Sequence, residues 1–307
     1  MNEKVSVLQV DNLSVSFSMY NKGLSKRDLE VIHELSIDVK KGEIVAVVGS
    51  SGSGKSLLAH AIMGILPENS KTKGSIKYYN DELNEKYLRK VRGKDIAFIP
   101  QSVDFLDPLM KVGKQVVGIN GNKERQKEVF KKYNLDDKVA EMYPFQLSGG
   151  MARRVLIATA VMNEAKLIIA DEPTPGLNLE LAMETLNNFR EIADSGCGVL
   201  LITHDVDLAL NVADRIAVFY SGTIVEIAQV EDFIKGKDAL RHPYSKAFID
   251  ALPQNKFKEL PGYQPYAGNL PKGCLFRDRC SLKTDECCME IKMRKVRDGE
   301  VRRINAT

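Results

Sequence analysis

A glycine-rich octapeptide carries the strongest chemical signal in this chain of 307 residues. It matches the phosphate-binding pattern G-x-x-x-x-G-K-[ST] and consists of Gly49, Ser50, Ser51, Gly52, Ser53, Gly54, Lys55 and Ser56. Backbone N–H groups of such a loop converge on a phosphate chain, and a following helix adds positive potential. We expect Lys55 to reach the β- and γ-phosphates and the Ser56 hydroxyl to ligate Mg²⁺. The pattern predicts a nucleotide site.

The flanking residues supply the context that this loop requires. Residues 43–48 (EIVAVV) are apolar and β-branched, as in a buried strand, and residues 57–63 (LLAHAIM) are typical of a helix. A glycine-rich turn without a ligand is the alternative interpretation. The full motif between a strand and a helix favours the nucleotide site.

Two acidic residues follow a second apolar stretch, residues 166–170 (KLIIA). Asp171 and Glu172 stand where ligand sites lie in parallel α/β sheets, at the C-terminal end of a strand. Asp171 is placed to hold Mg²⁺, directly or through water, and Glu172 suits a general base that polarises the attacking water. An exposed acidic pair without function is the alternative, which the upstream loop disfavours.

A serine and two glycines, Ser148, Gly149 and Gly150, precede a helical stretch over residues 152–161. They would expose N–H donors and a hydroxyl to an anion at the start of a helix. By itself this sequence is an ordinary helix N-cap. Its position ahead of the acidic strand favours anion binding.

Composition and charge narrow the class of protein. The chain is 44% hydrophobic and 28% charged, as in a globular protein, and its net charge is only +3. Without a long basic run there is no support for nucleic-acid binding. Apolar runs are too short for a membrane span and the N-terminus lacks a signal-peptide core, so we expect a cytoplasmic chain.

Hydrophobic patterning predicts an α/β core with an antiparallel β edge, a helical insertion over about residues 102–162 and an appended tail beyond residue 235. Residues 21–28 are expected to form a loop. The predicted strands cover residues 5–20, 31–39, 74–79, 95–101, 166–171 and 198–203, and residues 215–220 and 223–227 form a hairpin. The predicted helices cover residues 122–133, 136–142, 179–195 and 206–213.

In this order the motifs resemble the ATP-binding cassette (ABC) family over residues 5–227. Residues 49–56 correspond to its Walker A element, residues 167–172 to Walker B, and residues 147–151 (LSGGM) to the signature motif. Met151 stands where the family usually has Gln. The resemblance implies a P-loop NTPase core that binds ATP and Mg²⁺.

The resemblance assigns roles to further residues. Gln101 corresponds to the Q-loop glutamine, which contacts ATP and Mg²⁺ at the entrance to the helical subdomain. His204 corresponds to the switch histidine that senses the γ-phosphate, and it joins Glu172 and Lys55 as a catalytic residue. Asn178 ends the D-loop, where the family commonly has Asp. Phe17 or Tyr20 is expected to stack on adenine.

The same resemblance implies an assembly on the membrane. Two such domains meet head to tail, and each ATP lies between one Walker A loop and the other domain's Ser148, Gly149 and Gly150. The expected partners are a second ABC ATPase chain, identical or homologous, two membrane permease subunits and an extracytoplasmic substrate-binding protein. The chain would be peripheral to the cytoplasmic face of the cell membrane, with no transmembrane segment and no nucleic-acid partner.

The tail resembles one branch of the family. Residues 241–248 (RHPYSKAF) are similar to a His-Pro-Tyr helix start in dipeptide, oligopeptide and nickel importers, and residues 270–280 (LPKGCLFRDRC) to a cysteine element of the same importers. The implied domains are an ABC ATPase over residues 1–235 and a C-terminal extension over residues 236–307. The sequence does not distinguish between nickel and peptides as the transported substrate, and peptides are the larger class.

Four cysteines of the tail raise the question of a metal centre. In relatives with four such cysteines the thiolates can hold an iron–sulfur cluster, here 4Fe–4S. The candidate ligands are Cys274, Cys280, Cys287 and Cys288. The family's last cysteine would fall near Arg303 and is missing. Cluster ligands and reduced structural thiols both stay open.

The leading hypothesis is the ATPase subunit of a peptide or nickel importer. A soluble ATPase of the same fold is one alternative, although such proteins usually carry two cassettes or a long coiled coil. A catalytically weak partner in a two-ATPase complex is another. Met151 and Asn178 favour that last alternative, whereas the intact Glu172 and His204 oppose it.

Overall fold

A computed structural model describes residues 5–20, 25–118, 121–252, 255 and 257–304. Within these residues the chain forms two sheets flanked by helices. The strands are β1 (Ser6–Tyr20), β2 (Lys26–Lys40), β3 (Ile44–Val48), β4 (Ser70–Tyr78), β5 (Asp81–Glu82), β6 (Ile96–Ile99), β7 (Leu167–Asp171), β8 (Gly198–Thr203), β9 (Arg215–Tyr220), β10 (Thr223–Gln229), β11 (Arg294–Val296) and β12 (Gly299–Val301). The helices are α1 (Lys55–Met63), α2 (Glu85–Val91), α3 (Val112–Val117), α4 (Lys123–Lys132), α5 (Gly149–Val161), α6 (Leu179–Asp194), α7 (Val206–Val212), α8 (Val230–Ile234) and α9 (Pro243–Asp250).

The larger sheet has the strand order β11-β12-β10-β9-β3-β8-β7-β6. Its section from β9 to β6 is parallel, because β3 pairs in parallel with β8 and β9, and β7 with β8 and β6. The carboxyl ends of these strands share one edge, so the loops after β3, β6, β7 and β8 lie together. This arrangement confirms the predicted α/β core and brings the motifs to one place.

Strand β3 shows why apolar runs predict this sheet. All five of its residues are buried. Ile44, Ala46 and Val48 face one hydrophobic core, while Val45 and Val47 face the other. Successive side chains point to opposite faces of a strand, so a strand covered on both sides must be apolar throughout.

The smaller sheet is antiparallel, with the order β2-β1-β4-β5. Strands β1 and β2 form a long ribbon that pairs Leu8 with Val39 at one end and Tyr20 with Lys26 at the other. The loop predicted over residues 21–28 is therefore wrong for residues 26–28, which pair with β1; residues 21–24 lie outside the described residues. Cross-strand hydrogen bonding holds the polar end of the ribbon in β conformation, although its residues show no hydrophobic alternation.

The helical insertion is built from α3, α4 and α5, with short 3₁₀ turns between them. The prediction of a helix at residues 122–133 is confirmed by α4. The helix predicted over residues 136–142 is a 3₁₀ turn, Asp137–Glu141, which the Asp136 carboxylate caps by accepting a 2.9 Å hydrogen bond from the Lys138 N–H. Asp136 thus satisfies a donor at the start of a turn too short to become a helix.

The tail is joined to the core rather than loosely appended. Strand β12 pairs with β10 and extends the larger sheet. Glu226, fully buried on β10, accepts hydrogen bonds from the backbone N–H groups of Arg241 (2.7 Å) and His242 (2.8 Å), and the Arg241 guanidinium lies 3.4 Å from the same carboxylate. No helix of the described residues is long and apolar enough to span a bilayer.

Candidate functional site

The Walker A loop, residues 49–56, connects β3 to α1 and depends on its glycines. Gly52 and Gly54 have φ angles of +73° and +102°, in the left-handed region that favours glycine. A Cβ atom added to Gly49 would lie 2.5 Å from the Phe219 carbonyl oxygen on the neighbouring strand β9. The sequence thus lets the backbone turn closely over the sheet edge.

Lys55 begins α1 and turns back over the loop. Its ammonium group donates hydrogen bonds to the carbonyl oxygens of Gly49 (2.8 Å) and Ser50 (3.0 Å). Burial lowers the pKa of Lys55, while the charges of Glu172 and Asp171 oppose that shift. Within the described residues the Ser53 hydroxyl is buried without a hydrogen-bond partner. A cation, an unpaired hydroxyl and backbone donors in one turn fit a phosphate chain.

The end of β7 lies next to this loop. The Ser56 hydroxyl donates to Asp171 Oδ1 at 3.1 Å, so two oxygen ligands of the kind that Mg²⁺ prefers stand together. Asp171 is almost fully buried, and burial raises the pKa of its carboxyl, with the charge of Glu172 adding to the effect. The charge of a bound cation would lower the pKa of Asp171 again and keep its carboxyl group ionised.

Glu172 and His204 form the second pair at this edge. Glu172 Oε2 lies 2.8 Å from His204 Nδ1, and the Glu172 side chain is buried while that of His204 is half exposed. Glu172 has a positive φ of 47°, so its backbone departs from strand geometry directly after Asp171. Because of that turn the two adjacent carboxylates have different partners, one the Ser56 hydroxyl and the other an imidazole.

Gln101 follows β6 at the start of the helical insertion, and its side chain is exposed. The backbone carbonyl oxygen of Gln101 accepts a hydrogen bond from the Arg153 guanidinium, which also donates to the Pro100 carbonyl at 2.7 Å. Arg153 is buried and links helix α5 to the Q-loop, a role not predicted from the sequence. The available signal was a pair of charged residues, Arg153 and Arg154, in an otherwise uncharged helix.

The structure does not bring the signature residues to the Walker A loop. The Ser148 hydroxyl caps α5 by accepting a 3.3 Å hydrogen bond from the Met151 N–H. Ser148 and Gly149 are exposed to solvent. No hydrogen bond among the described residues joins them to residues 49–56. The start of α5 is therefore open to solvent at Ser148 and Gly149.

Asn178 caps helix α6, whose Leu181 N–H donates to the Asn178 side chain at 2.9 Å. The amide performs the capping role that an Asp would have there. Of the two aromatic candidates, Tyr20 lies at the end of β1 and is 71% exposed. Phe17 packs partly buried against the core beneath the antiparallel sheet. Tyr20 is thus the more available of the two for stacking.

The cysteines of the tail do not form a comparable site. Cys274, Cys280 and Cys287 line a cavity of about 20 Å³, close to the volume that one water molecule needs. Arg303 lines the same cavity. Cys288 is exposed, and its sulfur accepts a 3.2 Å hydrogen bond from Arg277.

These residues do not fit an iron–sulfur cluster. A 4Fe–4S cluster takes four cysteine ligands, but one of the four candidates is absent from the cavity that the other three share. Among the residues that the structure describes, no group of three or more His, Cys, Asp or Glu side chains could hold a metal ion. Burial also raises the pKa of the Cys274 thiol, which disfavours the thiolate that a metal requires. The structure therefore does not support the cluster expected at Cys274, Cys280, Cys287 and Cys288.

Comparisons with known proteins agree with the nucleotide-site geometry. Residues 32–175 match the family model described as ABC transporter, and residues 225–287 match that of the oligopeptide/dipeptide transporter C-terminal region. The dipeptide transport ATP-binding protein DppD of Escherichia coli (strain K12) is 33% identical over 93% of this chain and 92% of its own length. The oligopeptide transport ATP-binding protein OppD of Bacillus subtilis (strain 168) is 34% identical over 90% of this chain and 81% of its own length.

Solved structures share the fold. A bacterial ABC transporter cassette determined as a dimer is 26% identical, with a TM-score of 0.63, over 73% of this chain and 98% of that one. A dimeric post-hydrolysis state bound to ADP and Pi is 25% identical, with a TM-score of 0.64 over the same shares of both chains. The chain described here therefore belongs to the ABC transporter family, as an ATP-binding cassette ATPase that carries the C-terminal region of oligopeptide/dipeptide transporters.

Proposed function

We propose that this chain is the subunit that hydrolyses ATP to power the uptake of peptides through a membrane permease. The relatives named above transport dipeptides or oligopeptides, which favours peptides over nickel. The observation that carries the proposal is the convergence of Lys55, Ser56, Asp171, Glu172 and His204 on one turn at the carboxyl edge of a parallel sheet. Each is positioned by a strand end or a helix start.

The side chains have separate tasks in this proposal. Lys55 and the N–H groups of the Walker A loop bind the phosphates. Glu172 orients the attacking water and accepts its proton, while His204, 2.8 Å away, holds that carboxylate in place. Ser56 and Asp171 would hold Mg²⁺, which supplies charge neutralisation for the transferred phosphoryl group when it is bound. Gln101 and the base-stacking Tyr20 complete the proposed nucleotide contacts.

A single chain supplies only half of the proposed site. Ser148, Gly149 and Gly150 stand at the start of α5, where Ser148 and Gly149 are exposed and, in the part of the chain that the structure describes, make no hydrogen bond to their own Walker A loop. We infer that they complete the site of a second ATPase chain, identical or homologous. The helical insertion, hinged at Gln101, would then transmit closure of the pair to two permease subunits supplied by an extracytoplasmic binding protein. In this proposal the chain is peripheral to the cytoplasmic face of the membrane.

Purification of the tagged full-length chain from membranes of its own host tests the proposal. We expect it to co-purify with two permease subunits, and ATP hydrolysis by the complex to rise when a dipeptide and the binding protein are added. A chain that never associates with the membrane fraction would favour the soluble ATPase. A membrane complex whose hydrolysis ignores peptides would contradict the substrate class.

A further inference from the structure

A segment of the tail, residues 262–269, lies against the nucleotide site, and we refer to it as the tail segment. Gln264 Oε1 accepts a 3.1 Å hydrogen bond from the hydroxyl of Ser50, the second residue of the Walker A loop. The Pro265 carbonyl accepts one from the Ser221 hydroxyl at 3.3 Å. The tail therefore touches the phosphate-binding loop directly, although more than 200 residues separate Ser50 and Gln264 along the chain.

The other end of the tail segment meets the β1–β2 ribbon. The Gly268 carbonyl accepts a hydrogen bond from the guanidinium of Arg27. Arg27 pairs with Met19 across the ribbon, one residue before the pair formed by Tyr20 and Lys26. The tail segment thus runs from the phosphate loop to the ribbon end that carries Tyr20. A nucleotide whose phosphates occupy the loop and whose base lies near Tyr20 would follow the same path.

The two residues directly before the tail segment are held by Arg279, which also contacts the core. Arg279 donates hydrogen bonds to the carbonyl oxygens of Pro261 (2.9 Å) and Leu260 (3.0 Å) and to the Tyr220 hydroxyl (3.4 Å). Its guanidinium also lies 5.9 Å from the centre of the Phe276 ring. A chain held at both ends and in the middle presents its side chains in a defined place, so that binding a ligand costs little ordering entropy.

Tyr266 is the aromatic residue in the middle of this path. Its side chain is 68% exposed, and its ring occupies the space that a Cβ atom on Gly268 would need. The glycine therefore allows the ring to lie close to the backbone that Arg27 holds. An exposed ring in a fixed position suits stacking on a flat, polar-edged group such as a base.

We propose that the tail segment is a wall of the nucleotide site and that Tyr266 contacts the adenosine part of bound ATP. The proposal rests on the ATPase function above, since it needs ATP in the Walker A loop. It assigns to the C-terminal region a direct part in nucleotide affinity. The region would then have a role in the reaction in addition to packing against β10.

Calorimetric titration of the full-length chain with two probes, MgATP and inorganic tripolyphosphate, tests this assignment. Tripolyphosphate fills the phosphate loop and has no base. We expect Tyr266→Ala to weaken MgATP binding by about fivefold or more, the effect of losing one base–aromatic stack, and to leave tripolyphosphate binding unchanged. Tyr266→Phe, which keeps the ring, should bind MgATP as the native chain does. Phe257→Ala removes an aromatic residue of the tail that lies outside the tail segment and is 74% exposed, and it should change neither affinity.

Three results would overturn the proposal. Unchanged MgATP affinity in Tyr266→Ala would show that the ring does not meet the nucleotide. An equal loss for both probes would mean that the substitution distorts the Walker A loop. If the native chain bound tripolyphosphate and not MgATP, the proposed ATPase function would fail as well, and that result is distinguishable from the other two.

Discussion

The Walker region and the cysteine region of this chain both gather residues that could do chemistry, yet only one of them forms a site. In the Walker region, Ser56 meets Asp171 and Glu172 meets His204 at 3.1 and 2.8 Å. In the cysteine region, three thiols surround a cavity of about 20 Å³, close to one water in size, while Cys288 points to Arg277.

The difference lies in the elements that carry the residues. Asp171 ends β7 and His204 directly follows β8, and the register of these adjacent parallel strands fixes their separation. The cysteines lie on short 3₁₀ turns and loops. Cys288, which is next to Cys287 in sequence, does not replace the missing fourth ligand there. A motif on rigid strand ends therefore specifies a site, whereas a motif on loops depends on every member being present.

The comparison predicts that polar contacts between the core and the C-terminal extension support the fold, and the largest effect should come from Glu226 on β10. Glu226→Gln puts an NH₂ group, which cannot accept a hydrogen bond, among the buried donors of Arg241 and His242, and it removes one of the two carboxylates that pair with the Arg241 guanidinium, the other being Asp232 at 2.9 Å. We expect a loss of about 3 kcal/mol in the free energy of unfolding, measured by urea denaturation. Glu68→Gln, at an exposed loop position, is the matched control and should have no effect. Equal stability of both variants would contradict the stabilising role of Glu226.

A second effect, smaller for each pH unit, is the dependence of stability on pH. Burial, together with the charge of Arg303, lowers the pKa of His242 from 6.5 to about 3. Between these values the unfolded chain binds a proton that the folded chain does not, so stability falls as the pH falls from 6.5 towards 3, by up to about 1.4 kcal/mol per pH unit.

The substitution that checks this is His242→Asn. The His242 Nδ1 atom caps helix α9 by accepting a hydrogen bond from the Tyr244 N–H, and Asn keeps a capping oxygen without titrating. We expect urea denaturation between pH 4 and pH 6 to show a flatter slope for the variant. A slope identical to that of the native chain would mean that His242 does not carry the acid sensitivity.

For the cysteine region we expect the smallest signal, because the purified chain should not contain an iron–sulfur cluster. Iron and labile-sulfide assays on anaerobically purified protein should find far less than one cluster per chain, since three thiols and a guanidinium cannot supply four thiolate ligands. Stoichiometric iron and sulfide would contradict the structural account and restore the cluster ligands predicted from the sequence.

Much of the nucleotide site was predictable from local patterns. The apolar runs before residues 49, 171 and 204 specify strands buried on both faces, and the motif residues stand at their ends. Contacts between distant parts of the chain were not predictable. Arg153 reaches the Pro100 carbonyl, β12 pairs with β10, and Gln264 reaches Ser50, and none of these contacts leaves a periodic signal in the sequence.

The role of Glu172 is the central claim and can be measured directly. Glu172→Gln should lower the turnover of MgATP by roughly 10²- to 10⁴-fold, the usual contribution of a general base, while the dissociation constant for MgATP stays near that of the native chain. The chain purified with its membrane partners would be compared with the same preparations of Glu172→Gln and of the Glu68→Gln control. Loss of turnover with ATP binding retained, in the first variant alone, is the predicted result. Unchanged turnover in Glu172→Gln would contradict the account.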